Sequence, residues 1–362
     1  MKRTRIFTYL LAFIIMLAGC TQPVKNIKSE EKMMQDQPIT EADTEDTTNY
    51  FYDNAESYSL SLNPITVEGE IEESGEVDFS KFPLHTVIVK EALLSDNGNK
   101  FIGAYRYDGY SLMDILNHKT IDKANAKEFE PIIDLFVEIA NEQGEKVIVS
   151  WGEIYYPIHL HEILIATRVM RIIPSKTNDL WPLPTESKLV VASDLLTERN
   201  ISAPSKITVR SYPRSFETIK GKKPLFSEKI DFIQGDEVLL TLDKSPDHLP
   251  MMNYESIFYG RGRGIHSAQP FHGTLLKQIL EPYIDITAQN LKEGFITVKA
   301  DDGYRGLFTV SEVMNRNDQS EVLLIYHSEE EDGGSFRLYP ACDFFSDRAI
   351  KAISEIYLEL PE

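Results

Sequence analysis

Residues 295–313, FITVKADDGYRGLFTVSEV, lie 159 positions after residues 136–154, FVEIANEQGEKVIVSWGEI, and the two stretches align without a gap. In each, an alternating apolar run leads into a polar turn around a glycine, Gly144 or Gly303, and a second apolar run leads out. Period-2 side chains pack one face of a strand and glycine tolerates positive φ in a tight turn, so both stretches predict β-hairpins. The register carries on, with residues 161–165 over 320–324. Before the hairpin, residues 109–116 lie over 273–280 at an offset of 164; after it, 189–194 and 207–209 lie over 338–343 and 356–358 at 149. Length differences confined to loops leave a core pattern intact, so the chain reads as one module written twice.

A chain of 362 residues is too long for one ordinary core and sufficient for two. Its formal charge of −20 repels phosphate backbones, and no basic face interrupts it, so nucleic acid is not an expected partner. Lys2, Arg3 and Arg5 precede an apolar run from Ile6 to Met16 and then Leu17-Ala18-Gly19-Cys20. That order predicts an export signal over residues 1–20. Its ending resembles the lipobox of bacterial lipoproteins, which implies that Cys20 is acylated. The partner implied is membrane lipid, and the place is the cell membrane or outer membrane, lipid-anchored and outside the cytoplasm. Cys342 is then the one remaining thiol, so neither an internal disulfide nor a cysteine zinc site is expected. Its apolar neighbours predict a buried, structural role.

Residues 21–59 are dense in acidic and polar residues and predict a disordered tether. Residues 60–210 form the first module and 225–362 the second. The linker between them is placed at 211–224, a stretch with Pro213, Gly221 and several basic residues. Apolar positions 112, 115 and 116, and their equivalents in 273–280, predict a helix in each copy.

Several stretches together resemble the molybdopterin-binding domain of the sulfite oxidase type. They are the Gly-x-x-Leu-x-x-Ile-Leu helix entries at 109 and 273, Asp302-Gly303-Tyr304-Arg305 with Ser311-Glu312-Val313, Gly333-Gly334-Ser335-Phe336-Arg337-Leu338-Tyr339-Pro340, and the loop 265–273. The resemblance implies an α+β fold, mostly strands, in two tandem sulfite-oxidase-like copies over residues 60–362, with molybdopterin as the family's cofactor. The family's molybdenum ligand is a cysteine thiolate placed before the Gly-x-x-Leu helix. Residues 87–101 and 251–259 contain no cysteine, and a carboxylate or imidazole is a poor replacement for a soft thiolate. The family's exported members travel folded through the twin-arginine route, whereas Lys2-Arg3-Thr4-Arg5 has no adjacent arginine pair. The expectation is therefore that no cofactor is bound.

Gly260-Arg261-Gly262-Arg263-Gly264-Ile265-His266 is the densest polar constellation. Glycines admit a ligand to the backbone, and guanidinium forks bind phosphate or carboxylate. The resemblance brings Arg305 and Arg337 to the same side, so Arg261, Arg263, His266, Arg305 and Arg337 are the expected anion-binding residues. The first copy offers Lys146, Lys188, Arg106 and Asp108 instead. His159-x-His161-Glu162 has the spacing of a strand-borne metal site, yet the second copy has Asp318, Gln319 and Ser320 there, and no metal is expected. Residues 329–332 lack calcium-ligand spacing and read as a solvated turn. No nucleophile elbow, phosphate-cradling loop or triad is present. These readings add up to a non-catalytic lipoprotein that binds an anionic small molecule or a protein partner; a molybdopterin-dependent oxidoreductase with atypical ligation is the alternative.

Overall fold

Alternating apolar positions become strands along most of this chain. The computed structural model describes residues 55–174, 176–327 and 333–361. The first half contains β1 (Ser57–Ser59), β2 (Thr66–Gly69), β3 (Gly75–Glu76), β4 (His85–Ser95), β5 (Gly98–Ser111), β6 (Leu135–Asn141), β7 (Lys146–Ser150), β8 (Ile163–Arg171), β9 (Lys188–Val191) and β10 (Pro204–Ser211), with helices α1 (Leu112–Asn117) and α2 (Trp151–Tyr155). The second half contains β11 (Ile230–Gln234), β12 (Glu237–Leu242), β13 (Met251–Tyr254), β14 (Phe258–Gly260), β15 (Gly264–Ser267), β16 (Phe271–Leu275), β17 (Phe295–Ala300), β18 (Arg305–Thr309), β19 (Val322–Tyr326), β20 (Phe336–Pro340) and β21 (Ile353–Glu359). Its helices are α3 (Leu276–Leu280), α4 (Ala288–Glu293) and α5 (Val310–Met314). Residues 50–173 and 179–362 belong to one unit. Of the other, residues 1–49 with 174–178, a turn at Lys176 and Thr177 is described, closed by the Asn178 N–H donating to the Pro174 carbonyl.

The strands pair in the order β4-β5-β8-β1, with β9 also on β8, and β3-β2-β10-β6-β7; then β12-β11-β21-β17-β18 and β13-β16-β19-β20, with β14-β15 as a separate two-stranded ribbon. The halves repeat each other's pairing. Phe136 faces Ser150 across β6-β7, and Phe295 faces Thr309 across β17-β18, which is the same register 159 residues on. Gly144 and Gly303 make the turns at φ +89° and +84°. In both halves the closing strand is parallel to the first strand of its sheet and antiparallel to the hairpin: β10 lies between β2 and β6, and β21 between β11 and β17. Each half buries its own apolar set. Ile65, Val67, Val137, Ile139, Val149, Ile207 and Val209 pack on Leu112 and Ile115 of α1, and Ile230, Phe232, Ile296, Val298, Phe308, Ile356 and Leu358 pack on Leu276 and Ile279 of α3. Leu196 of the first half is buried within the second half's set, so the two cores interlock.

This architecture corrects the expected fold class. The chain is mostly β, 44% strand and 12% helix, with small sheets arranged like a four-blade β-propeller, and it does not form two tandem sulfite-oxidase-like α+β domains. The physical reason is helix length. α1 is six residues long because the strand β5 runs up to Ser111, whose hydroxyl caps the helix by accepting from the Met113 N–H. α2 and α5 are single turns closed by capping boxes, Ser150 with Glu153 and Thr309 with Glu312. Helices this short serve as strand-end caps and cannot form a layer.

Residues 1–20 and Cys20 lie outside the described residues, as do most of 21–59 and the acidic run 329–332; Ser57–Ser59, at the end of the expected tether, pair with β8. Among the described residues no helix is long and apolar enough to cross a membrane. In the segment 211–224 between the halves, Tyr212 is buried and its hydroxyl donates to Glu359 at 2.7 Å, whereas most of the residues after it are exposed.

Candidate functional site

The halves meet around a buried ionic cluster whose members repeat. Arg199 donates to Asp194 at 2.6 and 2.8 Å and to Glu153 at 2.9 and 3.0 Å. In the second half Arg348 donates to Asp343 at 2.6 and 2.8 Å and pairs with Glu312 at 2.6 Å. The two sets are cross-linked. Ser150 Oγ donates to Glu312 at 2.9 Å, Thr309 Oγ1 to Glu153 at 3.3 Å, Arg199 to Thr309 at 3.2 Å and Arg348 to Ser150 at 3.4 Å. The flanking backbone contacts come in the same reciprocal pairs. The Leu195 N–H donates to the Asn315 carbonyl and the Phe344 N–H to that of Tyr156, both at 2.7 Å. Residue i contacting j while j's equivalent contacts i's equivalent is the signature of an isologous interface, here within one chain.

Four carboxyl groups share two guanidinium groups in this cluster, all nearly without exposure. Burial pushes the Glu153 carboxyl up despite Arg199 beside it, and burial likewise raises Asp343. Burial opposes the charge of Arg348, but Asp343 and Glu312 outweigh it and hold the guanidinium above its usual value. Arg348 also lies on the backbone of α2: a Cβ on Gly152 would sit 2.1 Å from its Nη1. The alternation reading missed this cluster. Its signal is present in the sequence, since Asp194-Leu-Leu-Thr-Glu-Arg199 repeats as Asp343-Phe-Phe-Ser-Asp-Arg348 at the offset of 149.

The main cavity belongs to the second half and has a volume of about 650 Å³. One wall is the β14-β15 ribbon, which carries Phe258, Arg263 and His266; the others hold Phe271, Asp302, Tyr304, Arg337, Asp347 and Lys351. In the first half, β4 and β5 form one long hairpin with Asp96 and Asn97 at its tip. In the second, the equivalent arm breaks after β13, ahead of Pro270, into the separate ribbon whose tip is Arg261-Gly262-Arg263. Arg261 anchors that tip: its Nε donates to Asp347 at 2.8 Å, and the Asp347 carboxylate holds the guanidinium above its usual value. The first half makes the equivalent contact through Glu198, which accepts from the Leu94 N–H. Burial pushes the Tyr304 hydroxyl up, helped by Asp347 and Tyr156, so it stays a donor, to the Asp347 carbonyl at 2.9 Å. Gly333, at φ +107°, lets Arg337 into place, because a Cβ there would lie 2.7 Å from Nη2.

Of the five expected anion-binding residues, Arg263, His266 and Arg337 line this cavity. Arg261 stands beside it, bound to Asp347 and over the Tyr156 ring at 5.7 Å. Arg305 is elsewhere. It is fully buried and pairs with Glu128 at 2.9 Å and Asp134 at 3.0 Å of the first half, with its guanidinium 4.4 Å over the Phe129 ring. Lys351, which sequence reasoning did not single out, reaches the cavity because its strand-like bridge to Arg337 places the two side by side.

The first-half equivalents are engaged in pairs: Lys146 with Glu293, Lys188 with Glu91, and Arg106 with Asp108. Cys342 is buried, its thiol pushed up by burial, and lines a cleft of about 40 Å³ with His159, Glu162 and Arg316. His159-x-His161-Glu162 does not share a strand face, because β8 starts at Ile163 and His161 takes φ +64°. His161 instead meets His85 and Asp114. No protein-family model matches this chain, and comparison with curated proteins gives no match.

Proposed function

We propose that this chain is a binding protein for a small anionic molecule, held outside the cytoplasm by lipid on Cys20. The observation that carries the reading is the convergence of Arg263, His266, Arg337 and Lys351 on one cavity in a chain of net charge −20. The carboxylates that share the cavity have local partners. Asp347 accepts from Arg261, and Asp302 accepts from the Tyr304 N–H at 3.0 Å. Phe258, Phe271 and Tyr304 supply flat apolar walls, so the ligand class is an organic carboxylate or phosphate ester with an unsaturated or aromatic body rather than a bare inorganic ion. Molybdopterin does not fit the residues present. No described thiol faces the cavity, since Cys342 lines a different cleft and is buried against Asp343 at 3.5 Å.

The test is calorimetric titration of the full chain with aromatic carboxylates and phosphate esters. Each charge-assisted hydrogen bond contributes about 1.5–3 kcal/mol, so Arg263→Ala or Arg337→Ala weakens binding roughly 10- to 100-fold. Unchanged affinity in both variants removes this cavity as the site.

A further inference from the structure

We propose that His85, Asp114 and His161 form a binding site for a divalent cation of the zinc class, in the first half and sharing no residue with the anion cavity. The three come from separate elements. His85 opens β4, Asp114 is in the first turn of α1, and His161 precedes β8. His85 Nε2 is 2.7 Å from Asp114 Oδ2, and His161 Nδ1 is 3.9 Å from the same oxygen. One ligand atom from each lies within 4.8 Å of the other two. The imidazoles stack with centroids 4.0 Å apart and planes 11° from parallel, and Ser111 Oγ, which also caps α1, lies 3.0 Å from His161 Nδ1. Side-chain exposures of 24%, 19% and 29% leave the group reachable from solvent yet largely fixed by packing.

Two imidazoles and one carboxylate are the donor set of zinc sites that keep a fourth position for water. Bonds of about 2.0–2.1 Å at tetrahedral angles put neighbouring ligand atoms about 3.4 Å apart. The observed separations of 2.7 and 3.9 Å bracket that spacing, so modest side-chain rotations that splay the stacked rings bring all three atoms onto one ion.

The repeat supplies an internal control for a merely structural role. Register places Met252 where His85 stands, each facing the glycine two residues before the end of the next strand's approach to its helix, Gly273 and Gly109. Gln278 takes the place of Asp114, and Ser320, 159 residues on, takes the place of His161. The same strand-helix junction is therefore built without any of the three ligands. Their coincidence in one half asks for another explanation, which an ion supplies.

The experiment titrates the untagged, chelator-treated full chain with Co²⁺ and follows ligand-field absorption. One equivalent binds, with the intense visible bands of four- or five-coordinate cobalt, and Zn²⁺ displaces it. Asp114→Asn and His161→Gln each weaken uptake by more than about 100-fold, beyond the 10- to 100-fold seen when outer-shell partners change. His161→Gln keeps the His85–Asp114 hydrogen bond, so it remains folded by circular dichroism. His159→Gln, at the exposed neighbouring histidine, leaves uptake unchanged. Absence of cobalt uptake by the wild-type chain, or uptake indifferent to D114N and H161Q, overturns the assignment.

Discussion

Arg348→Met tests whether the buried cluster holds the two halves together. Methionine matches the arginine stem and keeps the contact with the Phe308 ring, over which the guanidinium now lies at 4.3 Å. It removes the partner of Asp343 and Glu312, whose side chains are 2% and 1% exposed. An unpaired buried carboxylate takes up a proton rather than remain charged. At pH 7, protonating one carboxyl from an unfolded value near 3.9 costs about 1.36 kcal/mol per unit over roughly three units, or about 4 kcal/mol. That agrees with the 3–5 kcal/mol typical of breaking a buried pair from one side. At pH 5 the same proton costs only about 1.5 kcal/mol, so the deficit of the variant shrinks by roughly 2.5 kcal/mol between the two pH values. Urea unfolding at pH 7 and pH 5, with the m-value compared between variant and wild type, reads both quantities. Arg199→Met, in the equivalent setting, behaves alike. A deficit under about 1 kcal/mol, or one that does not change with pH, refutes the reasoning.

Glu153→Gln addresses the excess of carboxyl groups over guanidinium groups. Burial raises the folded-state pKa of Glu153, so proton uptake favours the folded chain; that contribution is complete below about pH 4 and is lost as the pH climbs through the raised folded value. The Tm of the Gln variant therefore gains on the wild type as pH rises from about 4.5 to 8, and a constant difference contradicts the shift. Gly333→Ala places a Cβ against Arg337 at a φ of +107°; it costs about 1–3 kcal/mol in stability and weakens anion binding in calorimetry, as Arg337→Ala does. Cys20→Ser abolishes incorporation of radiolabelled palmitate and moves the chain from the membrane to the soluble fraction of a cell lysate; retained label excludes that acylation site.

How much of this was legible in the sequence depends on what each residue had to do. The hairpins at 136–150 and 295–309 were legible because period-2 alternation and a glycine turn are local, and local signals survive folding. The helix entries at 109 and 273 misled the fold class. Their apolar spacing is helical, but spacing over six residues cannot distinguish a one-turn cap from a packed helix. Arg305 misled the site, since the family resemblance set it beside Arg337, whereas its burial depends on Glu128 and Asp134 from the other half of the chain. His85, Asp114 and His161 were unreadable for a related reason: they are separated by 29 and 47 positions, and only strand pairing between β4, β5 and β8 brings them together.

The duplication also sorts structural residues from functional ones. The groups that join the halves are kept in both copies: Ser150 and Thr309, Glu153 and Glu312, Asp194 and Asp343, Arg199 and Arg348. An isologous interface requires this, because each member meets the equivalent of its own partner. The groups that face open space differ. The cationic tip Arg261-Gly262-Arg263 stands where the first half has Asp96-Asn97, and Arg337 on the cavity wall stands where the first half has Lys188. Conversely, the second half has Met252, Gln278 and Ser320 where the first has His85, Asp114 and His161. A fold that needed these residues would need them twice. On the two proposals above, their one-sided presence divides the chain's binding chemistry between an anion cavity in the second half and a cation site in the first.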